Sequence, residues 1–207
     1  MSILAIIPAK KHSVRIPHKN VQLLDGVPLF WHSVMFARRE GVPYVVSTDD
    51  TAVTEFCKHA GAPIIKEKVD DSNMLNCINS VLAAYPDVTR YVLLQPTSPL
   101  RPAGLVRAMM QLGDNVYTAE KIKIVGHLKR VKRTSLIVQG REQDAQSFLY
   151  QHNGSALLGT RKLAEQGILL DQEKAVPFFQ KAPYNFQIDT PEDLDTMRSL
   201  ISGIGKK

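Results

Sequence analysis

Three short apolar runs, each followed by a polar loop and a helical stretch, constrain the fold of this chain most. The runs are residues 3–7, 44–47 and 91–95. Strands buried on both faces of a parallel sheet read as continuous apolar segments rather than as alternating ones. The alternation of strands and helices therefore predicts an α/β fold with a mainly parallel sheet and helices on both faces. Ligands in such folds collect at the carboxyl ends of the strands.

Helical stretches lie between and after these runs. Their ends are marked by capping side chains, by prolines suited to a first turn such as Pro28, and by glycines that stop a helix. The predicted helices cover residues 28–40, 50–60, 73–85 and 102–112 and a final segment that begins at Pro191. Asp49 or Asp50 is the expected cap of the second helix, and Thr190 is the expected cap of the last.

The stretch from residue 117 to residue 150 departs from this alternation. It carries charged, strand-like segments and no helical pattern. We interpret it as a β-rich excursion within a single domain of residues 1–207, packed on the main domain or on a partner subunit. A chain of 207 residues buries enough apolar surface to fold without staples. Cys57 and Cys77 are too few for a disulfide scaffold or a four-cysteine zinc site.

Charge and the length of the apolar segments limit the partners. No apolar run approaches the roughly 20 residues of a membrane span, and no segment has the pattern of a signal peptide. We therefore expect a cytoplasmic protein that contacts no membrane. The formal net charge of +6 favours an anionic partner. Nucleic acid is not the expected one, because the basic run at residues 121–133 has only Tyr117 nearby as a stacking aromatic.

The loop after the first predicted strand, residues 8–20, concentrates positive charge. It holds Lys10, Lys11, Arg15 and Lys19. A basic loop at the carboxyl end of a strand is well placed to bind a triphosphate, because Arg and Lys neutralise phosphate oxygens. It is not a P-loop, because the spaced glycines and the Lys-Ser/Thr pair are missing. On charge alone, a solvated loop is an equally good interpretation.

Three more polar clusters follow predicted strands. Residues 47–50 bring two carboxylates to a strand end, where they could bind a metal or a ribose, although a helix cap is the simpler role for Asp50. Residues 95–101 form a proline-rich turn whose dense polar set favours a binding role over a plain turn. Asp189 lies between a strand and a helix, where its carboxylate could hold a hard cation. A cap is its alternative role, for which Thr190 competes.

Together these segments resemble the CMP-sialic acid synthetase family, the acylneuraminate cytidylyltransferases with their legionaminate and pseudaminate relatives. Residues 93–101 read L-L-Q-P-T-S-P-L-R, which is the family's motif at every position. Residues 7–20 match the ends and the length of I-P-A-R-G-G-S-K-R-I-P-x-K-N, and residues 188–194 match the end of I-D-I-D-T-P-E-D-L. Shorter matches are S-T-D at 47–49, R-x-Q-D at 141–144 and N-G at 153–154. The resemblance spans nearly the whole chain.

The resemblance implies a Rossmann-like nucleotidyltransferase fold, a homodimer joined through the excursion, and Mg²⁺-dependent transfer of CMP from CTP to a sialic-acid-like α-keto acid sugar. It assigns catalytic roles to Lys10, Lys19, Gln95 and Asp189. It assigns nucleotide binding to Ala9, Lys10, Lys11, Arg15, Lys19 and Asn20. It assigns substrate binding to Gln95, Arg101, Arg141, Asn153, Phe178 and Phe179, and metal binding to Asp189 and Gln187. An apolar core pair is an equally good interpretation of the two phenylalanines.

Two departures from the family's motifs keep alternatives open. Lys11 and His12 stand where the family has glycines, which let the backbone approach phosphates closely. Gln187 stands where the metal motif has its first aspartate, and an amide binds magnesium more weakly than a carboxylate does. The alternatives are a related nucleotidyltransferase for another sugar, such as an eight-carbon keto acid, and a catalytically silent protein that still binds nucleotide.

Overall fold

The three predicted apolar runs all form strands of one sheet. The computed structural model describes residues 2–67, 73–123, 136–138 and 148–204. The strands in this part of the chain are β1 (Ser2–Pro8), β2 (Leu23–Leu24), β3 (Val27–Pro28), β4 (Tyr44–Thr48), β5 (Ile64–Lys66), β6 (Val88–Leu93), β7 (Val116–Lys123), β8 (Leu136–Val138), β9 (Phe148–Thr160) and β10 (Val176–Phe179). β2 and β3 form a small antiparallel hairpin, and the other strands build the main sheet.

The strand order in the main sheet is β10-β7-β9-β6-β1-β4-β5, and β8 pairs with β9. β1 is parallel to β4 and β6, β4 is parallel to β5, and β10 is parallel to β7. β9 runs antiparallel to β6 and β7. The predicted mainly parallel sheet is therefore confirmed. Because Leu157 of β9 pairs with Leu93 at the end of β6, the preceding residues of β9 lie beyond the carboxyl end of β6.

Most helix predictions agree with the structure. The helices of the described residues are α1 (Leu29–Arg39), α2 (Thr51–His59), α3 (Met74–Ala84), α4 (Leu105–Leu112), α5 (Arg161–Glu165) and α6 (Pro191–Ile204). Asp50 caps α2 by accepting the N–H of Ala52 at 2.8 Å. Two starts were predicted too early. Pro28 precedes α1 instead of lying in its first turn, and α4 begins at Leu105 because Gly104 adopts a left-handed φ of 76°.

Helices cover both faces of the sheet, as predicted. Alternate residues of β1 show this, because successive side chains of a strand point to opposite faces. Ala5 and Ile7 belong to a buried cluster with side chains of α1, α2 and α4. Leu4 and Ile6 belong to a second cluster with side chains of α3 and α5. Strands buried on both faces account for the continuous apolar runs in the sequence.

The described residues of the 117–150 stretch lie in β7, β8 and the start of β9. The beginning of β7 is an integral part of the main sheet, because Tyr117, Thr118 and Ala119 are buried there. Residues 124–135 and 139–147 lie outside the described part, so the dimer contact assigned to this stretch stays a prediction. No helix of the described residues is both long enough and apolar enough to cross a membrane.

Two partly buried histidines, His32 and His152, should make the stability of the fold depend on pH. Burial lowers the pKa of His32, whose Nε2 lies 2.9 Å from the Leu24 carbonyl oxygen, and burial also lowers the pKa of His152. At these two sites the unfolded chain therefore binds more protons than the folded chain below about pH 6.5. Their contribution to the free energy of unfolding is fully present above that pH and is lost as the pH falls.

We expect the free energy of unfolding in urea to be smaller at pH 5.5 than at pH 7.5. The variant H32Q/H152Q should lose much of that difference, because neither replacement titrates in this range. The matched control is H59Q, which replaces an exposed histidine and should keep the wild-type pH dependence. An unchanged pH dependence in H32Q/H152Q would contradict the prediction.

Candidate active site

A cleft of about 320 Å³ lies at the carboxyl ends of β1 and β6. It is lined by residues from two segments that the sequence singled out, the loop 8–20 and the turn after β6. Lys10, Arg15, Lys19, Asn20 and Gln95 line it. The structure thus brings together most of the predicted nucleotide-binding residues and the predicted catalytic glutamine.

Three hydrogen bonds of the loop backbone fix the loop 8–20 to the end of β4 and to Asp49. The N–H of Ala9 donates to the Ser47 carbonyl at 2.8 Å, and the Thr48 hydroxyl donates to the Ala9 carbonyl at 2.6 Å. The N–H of Lys11 donates to Asp49 Oδ1 at 2.7 Å. The S-T-D segment therefore anchors the loop. Ala9 is fully buried, and its side chain packs in the core.

Asn20 closes the loop on itself. Its Nδ2 donates to the Lys10 carbonyl oxygen at 2.7 Å, so the two ends of the basic segment are tied to each other. The side chains of Lys11 and His12 are exposed between these ends. Of these two residues, which replace the family's glycines, His12 lines the cleft.

Asp189 is paired with two cations of the loop. Its Oδ1 lies 3.1 Å from Arg15 Nη2 and 3.5 Å from Lys19 Nζ. The Lys19 ammonium also donates to the Ile188 carbonyl oxygen at 3.1 Å. The Lys19 side chain is 14% exposed and that of Arg15 is 61% exposed, so Lys19 is the better ordered cation. The three side chains together carry one net positive charge facing solvent.

The turn after β6 carries Gln95 into the cleft and turns Arg101 away from it. The guanidinium of Arg101 donates to the Ser155 carbonyl at 2.9 Å, the Gln95 carbonyl at 2.7 Å and the Ser33 hydroxyl at 3.1 Å. Burial lowers the pKa of Arg101 to about 9. Arg101 does not line the cleft. Arg101 lies buried beneath the turn and holds the Gln95 carbonyl, whereas the resemblance assigns it a contact with substrate.

A cluster of three amide side chains surrounds Asn153 of β9. The Gln187 Nε2 donates to the Asn153 carbonyl oxygen. The buried Asn153 side chain donates to Gln180 Oε1 at 2.9 Å and accepts the N–H of Ser155 at 3.3 Å. Gly154 lies between Asn153 and Ser155, has a left-handed φ of 65°, and would place a Cβ atom in collision with Gln187 Nε2. The Asn153 side chain is thus buried and held by Gln180, and the half-buried Gln187 is held by the Asn153 backbone.

The remaining predicted substrate contacts lie apart from the cleft lining. Phe178 and Phe179 are neighbours in β10, so their side chains point to opposite faces. Phe178 packs against the main buried cluster, and Phe179 is 45% exposed. The alternative prediction, that both phenylalanines are core residues, therefore holds for Phe178 and not for Phe179. Arg141 lies outside the described residues.

The carboxylates at this edge of the sheet offer a magnesium ion few ligands. Among the described residues, no group of three or more His, Cys, Asp or Glu side chains is placed to hold a metal. Asp193 accepts the N–H groups of Asp189 and Thr190 at 3.0 and 2.8 Å, which leaves it as a helix cap. Asp189 remains. Magnesium is commonly held by one or two carboxylates plus substrate phosphates and water, so Asp189 fits an ion that enters with the nucleotide.

No prediction from the sequence covers two residues, Glu67 and Gln180, whose side chains bond to predicted site residues. Glu67 lies directly after β5 and pairs with Lys10, and Gln180 lies directly after β10 and pairs with Asn153. Their only sequence signal is a polar residue at the end of a short apolar segment. Such segments are too short to be separated from loops by pattern alone.

Comparison with known proteins decides the family of this site. The sequence matches the family model for cytidylyltransferases over residues 4–206. The chain belongs to this cytidylyltransferase family. Its sequence is 27% identical to an N-acylneuraminate cytidylyltransferase of Streptococcus agalactiae serotype V, over 99% of this chain and 53% of that protein. The chain thus spans about half the length of that relative.

Two further similarities cover whole chains. The chain is 27% identical to the CMP-N,N'-diacetyllegionaminic acid synthase of Legionella pneumophila, over 93% of each protein. Its fold superposes with a TM-score of 0.74 on a CMP:2-keto-3-deoxy-manno-octonic acid synthetase structure complexed with CTP, at 17% identity, covering 99% of this chain and 100% of that one. The Rossmann-like nucleotidyltransferase fold implied by the resemblance is therefore confirmed.

Proposed function

We propose that this cytidylyltransferase transfers CMP from CTP to the anomeric hydroxyl of a sialic-acid-like α-keto acid sugar and releases pyrophosphate. The observation that carries the proposal is the cleft in which the basic loop 8–20 faces Gln95, with Asp189 paired to two cations of that loop, Arg15 and Lys19. The relatives named for acylneuraminate and legionaminic acid substrates support the choice of sugar.

The proposed reaction forms a bond between the anomeric oxygen and the α-phosphorus and breaks the bond to the β-phosphate. The hydroxyl gives its proton to water, and pyrophosphate leaves with the bonding electron pair. Arg15 and Lys19 would neutralise the triphosphate, and the Gln95 amide would orient the sugar at the reacting centre. Asp189 would hold Mg²⁺, which when bound would supply positive charge to the triphosphate. The triphosphate would compete with Asp189 for Arg15 and Lys19.

The proposal extends to the assembly of the protein. The resemblance supports a homodimer formed by single-domain subunits, in which the 117–150 stretch contributes the contact. The cleft is sized and charged for small anionic substrates, which supports CTP and a sugar acid as its ligands.

A second candidate is transfer of CMP to an eight-carbon keto acid sugar. It is favoured by the close superposition on a synthetase for such an acid. The third candidate is a silent nucleotide-binding protein, which is favoured by Gln187 and by the exposed Lys11 and His12 in the loop.

Pyrophosphate release tests the proposal directly. We expect release with Mg²⁺ and CTP, not with ATP, GTP or UTP, and only with nine-carbon keto acid sugars. Release with an eight-carbon acid alone would establish the second candidate. CTP binding in calorimetry without release from any sugar would favour the silent protein, and a large gain of activity in Q187D would then locate the defect in the metal site. Absence of CTP binding would contradict the proposal.

A further inference from the structure

Glu67 is a buried carboxylate that no role described so far explains. It follows β5, and its N–H continues the pairing of β5 with β4 by donating to the Thr48 carbonyl at 2.9 Å. This bond places it at the carboxyl edge of the sheet, beside the strand that anchors the loop 8–20. Its side chain is only 4% exposed. Buried carboxylates are rare unless they are paired.

Both carboxylate oxygens of Glu67 have partners. Oε2 lies 2.8 Å from the Lys10 ammonium, and Oε1 accepts a hydrogen bond from the Ser47 hydroxyl. Cys77 lies beside the same group, and burial, together with its hydrogen bond to Glu67, raises the pKa of the thiol to about 12. The thiol therefore stays neutral and leaves the negative charge of Glu67 to Lys10.

The Lys10 ammonium is directed inward. Its Nζ atom is buried, although other atoms of the side chain line the cleft. Among the described residues, Glu67 is its only carboxylate partner. Meanwhile the Lys10 carbonyl oxygen holds Asn20, so the position of Lys10 also sets the closure of the loop that carries Arg15 and Lys19.

We propose that Glu67 is a positioning residue for nucleotide binding: it acts through Lys10 and holds the loop 8–20 in the shape that presents Arg15 and Lys19 to the phosphates. In this role Lys10 is a tether, in contrast to the direct phosphate contact implied by the resemblance. The inference rests on the proposed CTP-dependent function, because it explains how that ligand's site is formed.

A charge swap separates a tether from a phosphate ligand. CTP dissociation constants are measured by calorimetry with Mg²⁺ for wild type, K10M, E67Q and K10E/E67K. We expect each single variant to weaken binding roughly tenfold or more, because it leaves a buried charge unpaired. The swap should restore binding to within about threefold of wild type, because it forms the ion pair between the two positions again and leaves no buried charge unpaired. If Lys10 touches phosphate, K10E/E67K will bind at least as weakly as K10M.

A neutral pair and a remote control keep the test decisive if the swap does not fold. K10M/E67Q removes both charges and leaves neither unpaired. If Lys10 is a tether, this variant should bind CTP at least as tightly as E67Q, whereas if Lys10 touches phosphate it should bind clearly more weakly than E67Q, which keeps the lysine. D114N removes a carboxylate that lies 2.5 Å from Arg90, away from the cleft, and should leave CTP binding unchanged. If E67Q binds CTP as tightly as wild type does, this inference is overturned and the proposed function is not. Wild type without CTP binding would overturn the proposed function as well.

Discussion

G154A is expected to lower kcat for pyrophosphate release roughly tenfold, because displacement of reacting groups by about 1 Å costs about a hundredfold and Gln95 has to move by less than that. A Cβ atom at this position would collide with Gln187 Nε2 and would lie 3.0 Å from Gln95 Oε1. Gln187 would have to swing aside and Gln95 would have to shift by a few tenths of an ångström, and Gln95 is the side chain that we place at the reacting centre. The measurement is steady-state kinetics with CTP and the sugar that supports release.

The matched control for this variant is G61A. Gly61 has a φ of 62°, close to the 65° of Gly154, but a Cβ atom there would meet nothing within 4 Å. Both variants carry the cost of a left-handed alanine, about 1–2 kcal/mol, so both should melt at lower temperatures. Only G154A should lose turnover. Equal kcat values in the two variants would show that crowding of Gln95 does not limit the reaction.

The parts of the fold that the sequence predicts are those with local signals. β1, β4 and β6 read as unbroken apolar runs, and α2 and α6 begin at side chains that cap their own first turns. Asp193 and Thr190, for example, exchange hydrogen bonds at the start of α6 within four residues of sequence. Such signals act over one turn and do not depend on the rest of the chain.

The strands that escaped prediction depend on distant partners. β9 is formed by pairing Arg90 with Thr160 and Val116 with Leu158, over separations that no local pattern encodes. β5 and β10 are short and lie at the edges of the sheet. Short segments of this kind become strands because a neighbouring strand offers unpaired backbone groups, and that neighbour is known only from the fold.

The site was predictable in its location and less so in the direction of its side chains. The carboxyl-edge rule brings the loop 8–20 and the turn after β6 together, and the structure does so. The rule does not say which way a cation points. Arg101 and Lys10 both turn inward, toward acceptors on Ser155 and Glu67 that are far away in sequence. A sequence motif gives the type of a charged residue but not whether its side chain points into the core or into the cleft.

R101M is expected to be the most destabilising substitution near the cleft. It removes a buried guanidinium and leaves the Ser155 and Gln95 carbonyls and the Ser33 hydroxyl without this donor. A buried acceptor left without its donor costs about 1–3 kcal/mol, and because three acceptors lose Arg101 while the cost of burying its charge is relieved, we expect a net loss of stability of about 3–5 kcal/mol. For a chain of this size, that loss lowers the melting temperature by roughly 10 °C. Calorimetric melting and urea unfolding measure both quantities.

R101K and R107M identify the cause of the loss. Lysine keeps the positive charge but cannot reproduce the planar fork that reaches three acceptors at once, so R101K should be destabilised nearly as much as R101M. Arg107 is an exposed residue of α4, and R107M should change stability by no more than about 0.5 kcal/mol. If R101M melts like wild type yet binds the sugar acid much more weakly, Arg101 contacts substrate as the resemblance implies. Wild-type melting would in any case contradict its supporting role beneath the turn that presents Gln95.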